Sequence, residues 1–284
     1  MNSDDFEYLS QFLRRRSGLA LAPHRAHLIE GRLSPVARRF GFRNVESLLR
    51  ELRYARETLA RAVTEAMTTN DSSFFRDRSL FDHFRDVVLP ELAQKRAGRK
   101  HLRIWSAACA AGQEAYSLAM ILDQTKLADN GWSIDLIATD LSSDLIARAE
   151  EGVYTEFEVG RGLNARHLAT YFHQVGSSWR VRDRLKRMVS FRTFNLLDSY
   201  GWLHELDAVL CRNVLIFLEP KAKQQVIEKI SEVLAPEGVL VLGHAENIEG
   251  VHEYFERCHG AAGCYALKEQ NRVMRYQQRL ARIA

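Results

Sequence analysis

The sequence has no long apolar run and few cysteines. No stretch of its 284 residues approaches the about 20 consecutive apolar residues of a membrane-spanning helix, so we expect no membrane insertion. The N-terminal Met-Asn-Ser-Asp-Asp segment is acidic and lacks the apolar core of a signal peptide. The 4 cysteines have no paired metal-ligand spacing, which predicts free thiols, no metal site and a cytoplasmic protein.

The sequence also lacks a strong excess of either charge. Its net charge is +4, but arginine is concentrated in the segment from Arg14 to Arg56. A basic segment of this kind can bind nucleic acid, an anionic membrane surface or an acidic protein. For most of these arginines a solvated helix face is the better explanation.

Two patterns of apolar residues divide the chain. Residues 1–85 show helical spacing throughout, which predicts an all-helical N-terminal domain. Residues 86–268 alternate strand-like and helical segments, which predicts an α/β domain with a mostly parallel sheet. A Gly176-Ser-Ser turn between two short strands predicts a small antiparallel insertion near residues 170–187. Residues 269–284 form a basic tail.

Prolines and glycines set several predicted boundaries. Pro23 suits the first turn of the second helix, whereas Pro35 within that helix predicts a kink or a break. Pro236-Glu-Gly238 predicts a turn that leads into a strand. The predicted strands are His101–Trp105, Trp132–Thr139, Met188–Phe194, Leu206–Cys211, Val239–Gly243 and Gly263–Lys268.

A turn of very small residues follows the first predicted strand. The segment Arg103–Met120 is typical of a buried strand, a tight turn ending at Gly112 and a helix, the order that opens a Rossmann-like fold. The Gly-x-Gly-x-x-Gly motif is absent, and Glu114 stands in the first helical turn. An acid beside the free N–H groups of the helix repels a pyrophosphate. S-adenosylmethionine, a cation without phosphate, therefore fits better than NAD.

Five blocks of the sequence resemble, in order, the chemotaxis receptor methyltransferases of the CheR family. They are Met67-Thr-Thr-Asn-Asp-Ser-Ser-Phe-Phe-Arg-Asp77, Arg103–Met120, Ile137-Ala-Thr-Asp-Leu-Ser142, Leu210-Cys-Arg-Asn-Val-Leu-Ile-Phe217 and Leu240-Val-Leu-Gly-His-Ala-Glu-Asn247. The resemblance implies a helical receptor-recognition domain. It also implies a Rossmann-like class I S-adenosylmethionine methyltransferase domain with a small antiparallel β insertion. The implied reaction transfers methyl groups to glutamate side chains of methyl-accepting chemotaxis receptors, within their cytoplasmic domains.

The resemblance implies site residues at the matched positions. Asp140 ends a predicted strand, where an acid can hold ribose hydroxyls; alternatively it caps the next helix. Arg76 offers a fixed, charged fork for the cofactor carboxylate or the acceptor glutamate; alternatively it forms an interdomain salt bridge. Arg32 and Arg38 match the family's receptor-recognition helix. The implied cofactor-binding residues are Asn70, Ser72, Arg76, Glu114, Asp140, Asn195, Leu196, Arg212 and Asn213.

The implied reaction needs no proton-transfer residue. Glutamate has a reference pKa of about 4.3, so its carboxylate is already the nucleophile at neutral pH. Catalysis then rests on holding the carboxylate and the methyl sulfonium in line and away from water. Arg76 is the candidate orienting group.

Two other functions stay open at this stage. One is an S-adenosylmethionine-binding regulatory module without transfer activity, for which Gln113 and Phe217 leave room because the family usually has Glu and Tyr there. The other is a nucleic-acid methyltransferase, but the sequence lacks an Asn/Asp-Pro-Pro-aromatic motif and aromatic–basic interleaving. We expect a monomer that binds receptors and no nucleic acid.

Overall fold

The computed structural model describes residues 3–22, 26–246, 253–258 and 263–283. The chain divides into two compact units. The helical unit comprises Met1–Asn70 and Phe217–Lys223, and the sheet unit comprises Asp71–Ile216 and Gln224–Ala284. The predicted domain limits at residues 85 and 268 stay predictions.

Among the described residues, four helices lie wholly within the helical unit, and their apolar residues recur on one face and are buried together. They are α1 (Ser3–Ser17), α2 (Ala26–Arg39), α3 (Val45–Leu52) and α4 (Glu57–Met67). Asn44 begins α3 by accepting a hydrogen bond from the backbone N–H of Ser47 at 2.9 Å, and the Ser47 hydroxyl accepts one from the Asn44 N–H at 3.2 Å. This reciprocal cap satisfies two N–H groups that a helix start leaves free.

Helix α2 continues through Pro35, so the possibility of a break there is wrong. Proline inside a helix costs about 3 kcal/mol because it removes a hydrogen bond and crowds the preceding turn. Pro35 lies on the exposed side, while Leu33, Val36 and Ala37 are buried in the core of the helical unit. Their burial offsets the local cost. Pro23 lies outside the described residues.

The sheet unit begins with α5 (Arg78–His83), which runs through a π-helical turn (Phe84–Val88) into α6 (Leu89–Lys95). The strands are β1 (His101–Ala107), β2 (Ser133–Asp140), β3 (Val153–Thr155), β4 (Phe172–Val175), β5 (Ser178–Val181), β6 (Val189–Thr193), β7 (Leu206–Cys211), β8 (Leu234–Val241), β9 (Phe255–Arg257) and β10 (Cys264–Leu267). The further helices are α7 (Gln113–Thr125), α8 (Ser143–Glu151), α9 (Glu156–Gly160), α10 (Ala165–Tyr171), α11 (Asp183–Lys186), α12 (Pro220–Val233) and α13 (Glu269–Ile283). Short 3₁₀ turns span Ala128–Asn130 and Leu215–Phe217.

The main sheet has the order β6-β2-β1-β7-β8-β10-β9, and a small sheet has the order β3-β5-β4. Strands β6, β2, β1, β7 and β8 are parallel, whereas β10 and β9 are antiparallel. The strand order changes direction between β1 and β7, and ligands of open α/β sheets bind beyond the carboxyl ends of strands at such a point. The predicted Rossmann-like α/β class with an antiparallel insertion is confirmed.

Three short features differ from the prediction. Strands β3 and β9 were not predicted, because 3 residues are too few to show an alternating pattern. The predicted turn at Pro236-Glu-Gly238 is wrong, since these residues lie within β8 at a point where its register with β7 shifts. A Cβ on Gly238 would lie 2.7 Å from the Leu206 carbonyl oxygen, so glycine permits this close approach.

Helix α13 lies within the basic tail and spans all of its described residues. Within the described part of the chain, no helix is both long enough and apolar enough to cross a bilayer.

Candidate functional site

The turn after β1 has an unusual backbone. Ala108 and Ala110 have positive φ angles of 58° and 49°, and Gly112 has a φ of 90°. Residues with a side chain rarely adopt this left-handed region, and such strain is concentrated at functional sites. A Cβ on Gly112 would lie 2.8 Å from the Cβ of Ala149, so only glycine fits there. The predicted tight turn is therefore a constrained loop at the carboxyl end of β1.

Asp140, at the end of β2, holds this turn in place. Its Oδ2 accepts a hydrogen bond from Ala110 N–H at 2.9 Å, and its Oδ1 accepts one from Ser142 N–H at 2.9 Å. Ser142, and not Asp140, caps α8 by accepting a hydrogen bond from Leu145 N–H. Asp140 therefore has a structural role that the sequence did not indicate. A carboxylate offers about four acceptor positions, so these bonds are compatible with ribose binding.

Glu114, in the first turn of α7, forms a buried ion pair with Arg212. Its Oε2 accepts a hydrogen bond from Arg212 Nη1 at 2.7 Å, and its Oε1 accepts one from the Ser106 hydroxyl at 2.8 Å. Burial raises the pKa of Glu114, and the charge and hydrogen bonds of Arg212 and Ser106 oppose that rise. The sequence predicted both Glu114 and Arg212 as site residues, but not their direct contact.

The other end of Arg212 fixes the loop that precedes α5. Its Nη2 donates to the carbonyl oxygen of Arg76 at 2.6 Å and to Asp77 Oδ2 at 3.0 Å. Its guanidinium lies 5.0 Å from the centroid of the Phe81 ring. Only 2 % of the Arg212 side chain is exposed. Arg212 thus connects three segments: the end of β7, the first turn of α7 and the Arg76 loop.

Arg76 lies between two residues with positive φ, Phe75 at 48° and Asp77 at 58°. The Phe75 N–H donates to the Ser117 hydroxyl at 2.9 Å, and Arg76 Nη1 donates to the Asp71 carbonyl oxygen at 2.7 Å. No other hydrogen bond of the Arg76 guanidinium is found in the described part of the chain. Arg76 Nη1 also lies 3.8 Å from Asp71 Oδ2, an ion pair within the sheet unit, and 34 % of the Arg76 side chain is exposed. A role of Arg76 toward a carboxylate ligand stays a prediction.

Glu246 organises the loop after β7, and the sequence did not predict this role. Its Oε2 accepts hydrogen bonds from the N–H groups of Gly243 and Asn213 at 2.7 and 2.9 Å. Its Oε1 accepts them from Val214 and Leu215 at 2.9 and 2.8 Å. Glu246 therefore caps the 3₁₀ turn Leu215–Phe217. The only signal was an acid just beyond a buried strand.

The loop after β6 lies beside Asp140. The Phe194 N–H donates to the Asp140 carbonyl oxygen at 2.8 Å. Asn195 accepts a hydrogen bond from Leu197 N–H at its Oδ1 at 3.0 Å, and the Leu196 carbonyl accepts one from the Tyr200 hydroxyl at 3.0 Å. Asn195 and Leu196 are therefore held at the same edge of the sheet as Asp140, while their cofactor contacts stay predicted.

Two predicted cofactor residues divide between the units. Asn70 belongs to the helical unit, where its Oδ1 accepts a hydrogen bond from the Thr68 hydroxyl at 2.8 Å. Ser72 belongs to the sheet unit. Their roles toward the cofactor stay predictions.

Arg32 and Arg38, the predicted acceptor-binding residues, differ in their surroundings. Arg32 donates to the Met67 carbonyl at 2.7 Å and to the Thr69 hydroxyl at 3.2 Å, within the helical unit. It lines a cavity of about 40 Å³ together with Phe217. Arg38 is exposed. Arg32 therefore has a structural task in its own unit.

The residues of the sheet unit suit S-adenosylmethionine by their chemistry. A carboxylate such as that of Asp140 can accept hydrogen bonds from a ribose diol, and a guanidinium such as that of Arg76 can donate to an α-carboxylate. Gln113 Oε1 and Arg212 Nε are buried without a hydrogen-bond partner among the described residues, so polar ligand atoms would find partners there. No group of at least 3 metal-ligating side chains occurs among these residues.

Comparisons with known proteins agree with this chemistry. A family model described as "CheR methyltransferase, all-alpha domain" matches residues 4–68, and "CheR methyltransferase, SAM binding domain" matches residues 70–264. The chain is 36 % identical over 264 residues to a "Chemotaxis protein methyltransferase" of Vibrio parahaemolyticus, covering 91 % of this chain and 95 % of that protein. It is 36 % identical over 256 residues to "Chemotaxis protein methyltransferase 1" of Pseudomonas aeruginosa, covering 89 % and 93 %.

The fold also shows a distant likeness to solved methyltransferases. A TehB-like SAM-dependent methyltransferase from Corynebacterium glutamicum matches at 16 % identity with a TM-score of 0.37, covering 68 % of this chain and 95 % of that one. A likeness of this size carries no argument about function.

Proposed function

This chain belongs to the CheR methyltransferase family, and we propose that it methylates glutamate side chains on the cytoplasmic domains of chemoreceptors. Its cofactor is S-adenosylmethionine, and it is an S-adenosylmethionine-dependent methyltransferase of chemotaxis. These comparisons give no support to a regulatory module without transfer activity or to a nucleic-acid methyltransferase. We place the reaction in the cytoplasm and expect the enzyme to act as a monomer.

The observation that best supports a glutamate acceptor is the position in which the fold holds Arg76. Two strained residues flank Arg76, Arg212 holds its carbonyl, and its own guanidinium is partly exposed. An enzyme tolerates such strain where a side chain must be fixed in advance of binding. Arginine binds carboxylates through two parallel hydrogen bonds, so Arg76 suits a carboxylate of the cofactor or of the acceptor.

The chemistry asks little of the protein beyond positioning. When bound, S-adenosylmethionine supplies a methyl group activated by its sulfonium. The acceptor glutamate is ionised at neutral pH, since its reference pKa is about 4.3, and no side chain has to remove a proton. The residues of the chain orient the acceptor carboxylate and the methyl sulfonium and exclude water. Holding two reacting groups in the correct geometry accelerates their reaction, as it does in intramolecular reactions.

We assign the cofactor contacts to the edge of the sheet. Asp140 accepts hydrogen bonds from ribose hydroxyls, and the loop that begins with Asn195 and Leu196 borders the adenine. The ion pair of Arg212 and Glu114 fixes the Arg76 loop in position next to the β1–α7 turn. Asn213 and its loop, held by Glu246, border the methionine part.

For the acceptor we assign Arg38 a direct role. Its side chain is exposed on α2, and a glutamate-rich receptor helix is complementary to it in charge. Arg32 contributes in addition by holding the segment after α4 through Met67 and Thr69. Charge reversal at Arg38 alone is therefore the cleaner probe, because reversal at Arg32 also disturbs the helical unit.

Methyl transfer from labelled S-adenosylmethionine tests the proposal. Membranes carrying a chemoreceptor should gain label that mild base releases, because carboxyl methyl esters hydrolyse readily. The matched control is the same receptor with its candidate glutamates replaced by alanine, which should gain none. Label that resists base, or label on RNA and not on receptor, would overturn the proposal.

A further inference from the structure

Phe157, on α9, is an exposed aromatic residue of the sheet unit. Its relative exposure is 72 %, whereas most large apolar side chains of this unit are buried in one core. The guanidinium carbon of Arg161 lies 5.8 Å from the centroid of its ring. The Arg161 side chain is itself 44 % exposed, so an apolar ring and a cation share one patch of surface.

This patch is tied to the loop that presents Arg76. Arg161 Nη1 lies 3.1 Å from Asp71 Oδ1, and the Asp71 carbonyl accepts the hydrogen bond of Arg76 Nη1 at 2.7 Å. The next residue, Gly162, has a φ of 105°, and a Cβ there would lie 1.8 Å from the Phe74 carbonyl oxygen. No other residue fits such an approach. The segment after α9 is therefore pressed onto the loop of Arg76.

Two more arginines lie close to the same loop. His167 stacks on Phe75 with ring centroids 4.9 Å apart. Arg166 directly precedes His167 in α10, and Arg78 lies two residues after Arg76 at the start of α5. Both arginines are exposed. The surface beside the proposed reaction site thus carries positive charge within the sheet unit itself.

We propose that Phe157, Arg161, Arg166 and Arg78 form a docking face for the acceptor. Its occupant is the acidic, glutamate-bearing helical segment of a chemoreceptor. The inference rests on the proposed function and extends it, because it adds a recognition surface in the sheet unit to the arginines of α2.

The combination of charge and an apolar anchor is what favours this occupant. A single exposed apolar side chain needs no explanation, but here the ring is coupled by Arg161 and Gly162 to the loop that presents the carboxylate-binding fork. Interfaces commonly place an aromatic anchor near their centre and use charges around it to steer the partner. An acidic amphipathic helix matches both features, because its carboxylates can pair with the arginines and its apolar face can pack on the Phe157 ring.

The KM for intact receptor, measured by steady-state kinetics, tests the docking face. Phe157→Ala and Arg166→Glu should each raise the KM for receptor about tenfold, as loss of an interface anchor does. The maximal rate and the dissociation constant of S-adenosylmethionine should stay at the wild-type values, because neither residue touches the proposed cofactor site. Co-sedimentation of the enzyme with receptor membranes in the absence of cofactor should weaken in parallel.

Two matched variants act as controls. Val273→Ala shortens an apolar side chain that is 44 % exposed on α13 of the sheet unit. Arg187→Glu reverses an exposed charge between α11 and β6, at the opposite edge of the sheet from the site. Both should keep the wild-type KM.

The outcomes separate the docking face from the function. If wild-type enzyme forms no base-labile methyl groups on receptor, the proposed function fails. If it forms them, and both face variants keep the wild-type KM, only the docking face is overturned. A lower maximal rate with weaker cofactor binding and an unchanged KM would also overturn it, because the residues would then act on the reaction site.

Discussion

Arg212 and Glu114 are joined by a buried hydrogen bond of 2.7 Å between Nη1 and Oε2. Arg212 follows β7 and Glu114 opens α7, so the pair connects two neighbouring strand ends at the point where the sheet changes direction. The same guanidinium holds the carbonyl of Arg76. One side chain therefore sets the position of three segments of the proposed site.

Replacing Arg212 by methionine should destabilise the fold by about 3 kcal/mol, the cost of leaving a buried charge without its partner. Burial already raises the pKa of Glu114, and loss of Arg212 removes the opposing effect, so that pKa rises further. A carboxyl group whose pKa is raised by folding destabilises the fold from its unfolded-state pKa of about 4.3 upwards, and the penalty reaches its full size above the folded-state pKa. The deficit of Arg212→Met should hence be largest near neutral pH and shrink as the pH falls.

Urea unfolding at pH values from about 5 to about 8 measures this dependence. Arg212→Lys is the matched variant, since it keeps the charge but loses the fork that reaches both Glu114 and Arg76. A deficit of Arg212→Met that does not change with pH would mean that Glu114 is not the group left unpaired.

Asp140→Ala should weaken S-adenosylmethionine binding by about 1.5–3 kcal/mol, the range for hydrogen bonds to a charged group. The loss has two sources: the ribose acceptor disappears, and Ala110 loses the partner that holds its turn. Asp135→Ala is the control, because Asp135 lies in β2 at the other edge of the sheet. Calorimetric titration showing wild-type affinity in folded Asp140→Ala would remove Asp140 from the site.

Glu246→Ala should destabilise the sheet unit by about 3 kcal/mol, because several buried N–H groups lose their acceptor. Hydrogen exchange should accelerate at the amides of Gly243, Asn213, Val214 and Leu215, which are the donors to Glu246. Amides of β1 should keep their protection relative to global unfolding. An unchanged exchange rate at these four amides would contradict the prediction, because it would mean that water replaces the carboxylate with no loss of stability.

Cys258 should be alkylated before the other cysteines. A hydrogen bond from the Cys264 thiol lowers the pKa of the Cys258 thiol, and burial opposes this. Burial raises the pKa of Cys109 and of Cys211 well above the usual value. Since the thiolate is the reactive form, Cys258 should react with iodoacetamide at lower pH than a free cysteine, whose pKa is about 8.5. Peptide mapping identifies the site, and Cys258→Ser should abolish the fast phase.

The enzyme should methylate receptors without a C-terminal peptide tether. The family resemblance implies that some members bind such a peptide at the edge of the β insertion, beside a long glycine-bearing loop. Here β4 and β5 are joined by Gly176 and Ser177 alone, so one side of that groove is missing, although the strand edge can still pair with a peptide. Removing the last residues of the receptor should leave its methylation rate unchanged. Tight binding of the isolated peptide would contradict this prediction.

The fold was predictable from the sequence where long periodic segments carry the pattern. The strand, turn and helix of Arg103–Met120 appear as β1, a left-handed turn and α7. The short strand β9 and the bulge around Gly238 were not predictable, because they depend on pairing with β10 and on the approach of β7. Such tertiary contacts leave no local periodicity.

The positions of the candidate site residues in the fold could be predicted from the sequence, but the bonds between them could not. Asp140, Glu114 and Arg212 are all present at the carboxyl edge of the sheet, as the blocks of the sequence indicate. The bonds from Arg212 to the Arg76 carbonyl and from Asp140 to Ala110 link residues that are distant in the chain. Glu246 escaped prediction for the same reason, since its four donors come from two separate loops.

The most direct test is the chemical identity of the product. Receptor incubated with the enzyme and S-adenosylmethionine is digested and its peptides are sequenced by mass spectrometry, with Arg76→Ala as the paired enzyme. Wild-type enzyme should add one methyl group to specific glutamates of the receptor, mild base should remove it, and Arg76→Ala should add far less at the same enzyme concentration. Methyl groups on a nitrogen or a sulfur atom, stable to base, would contradict the account, and so would full activity without Arg76.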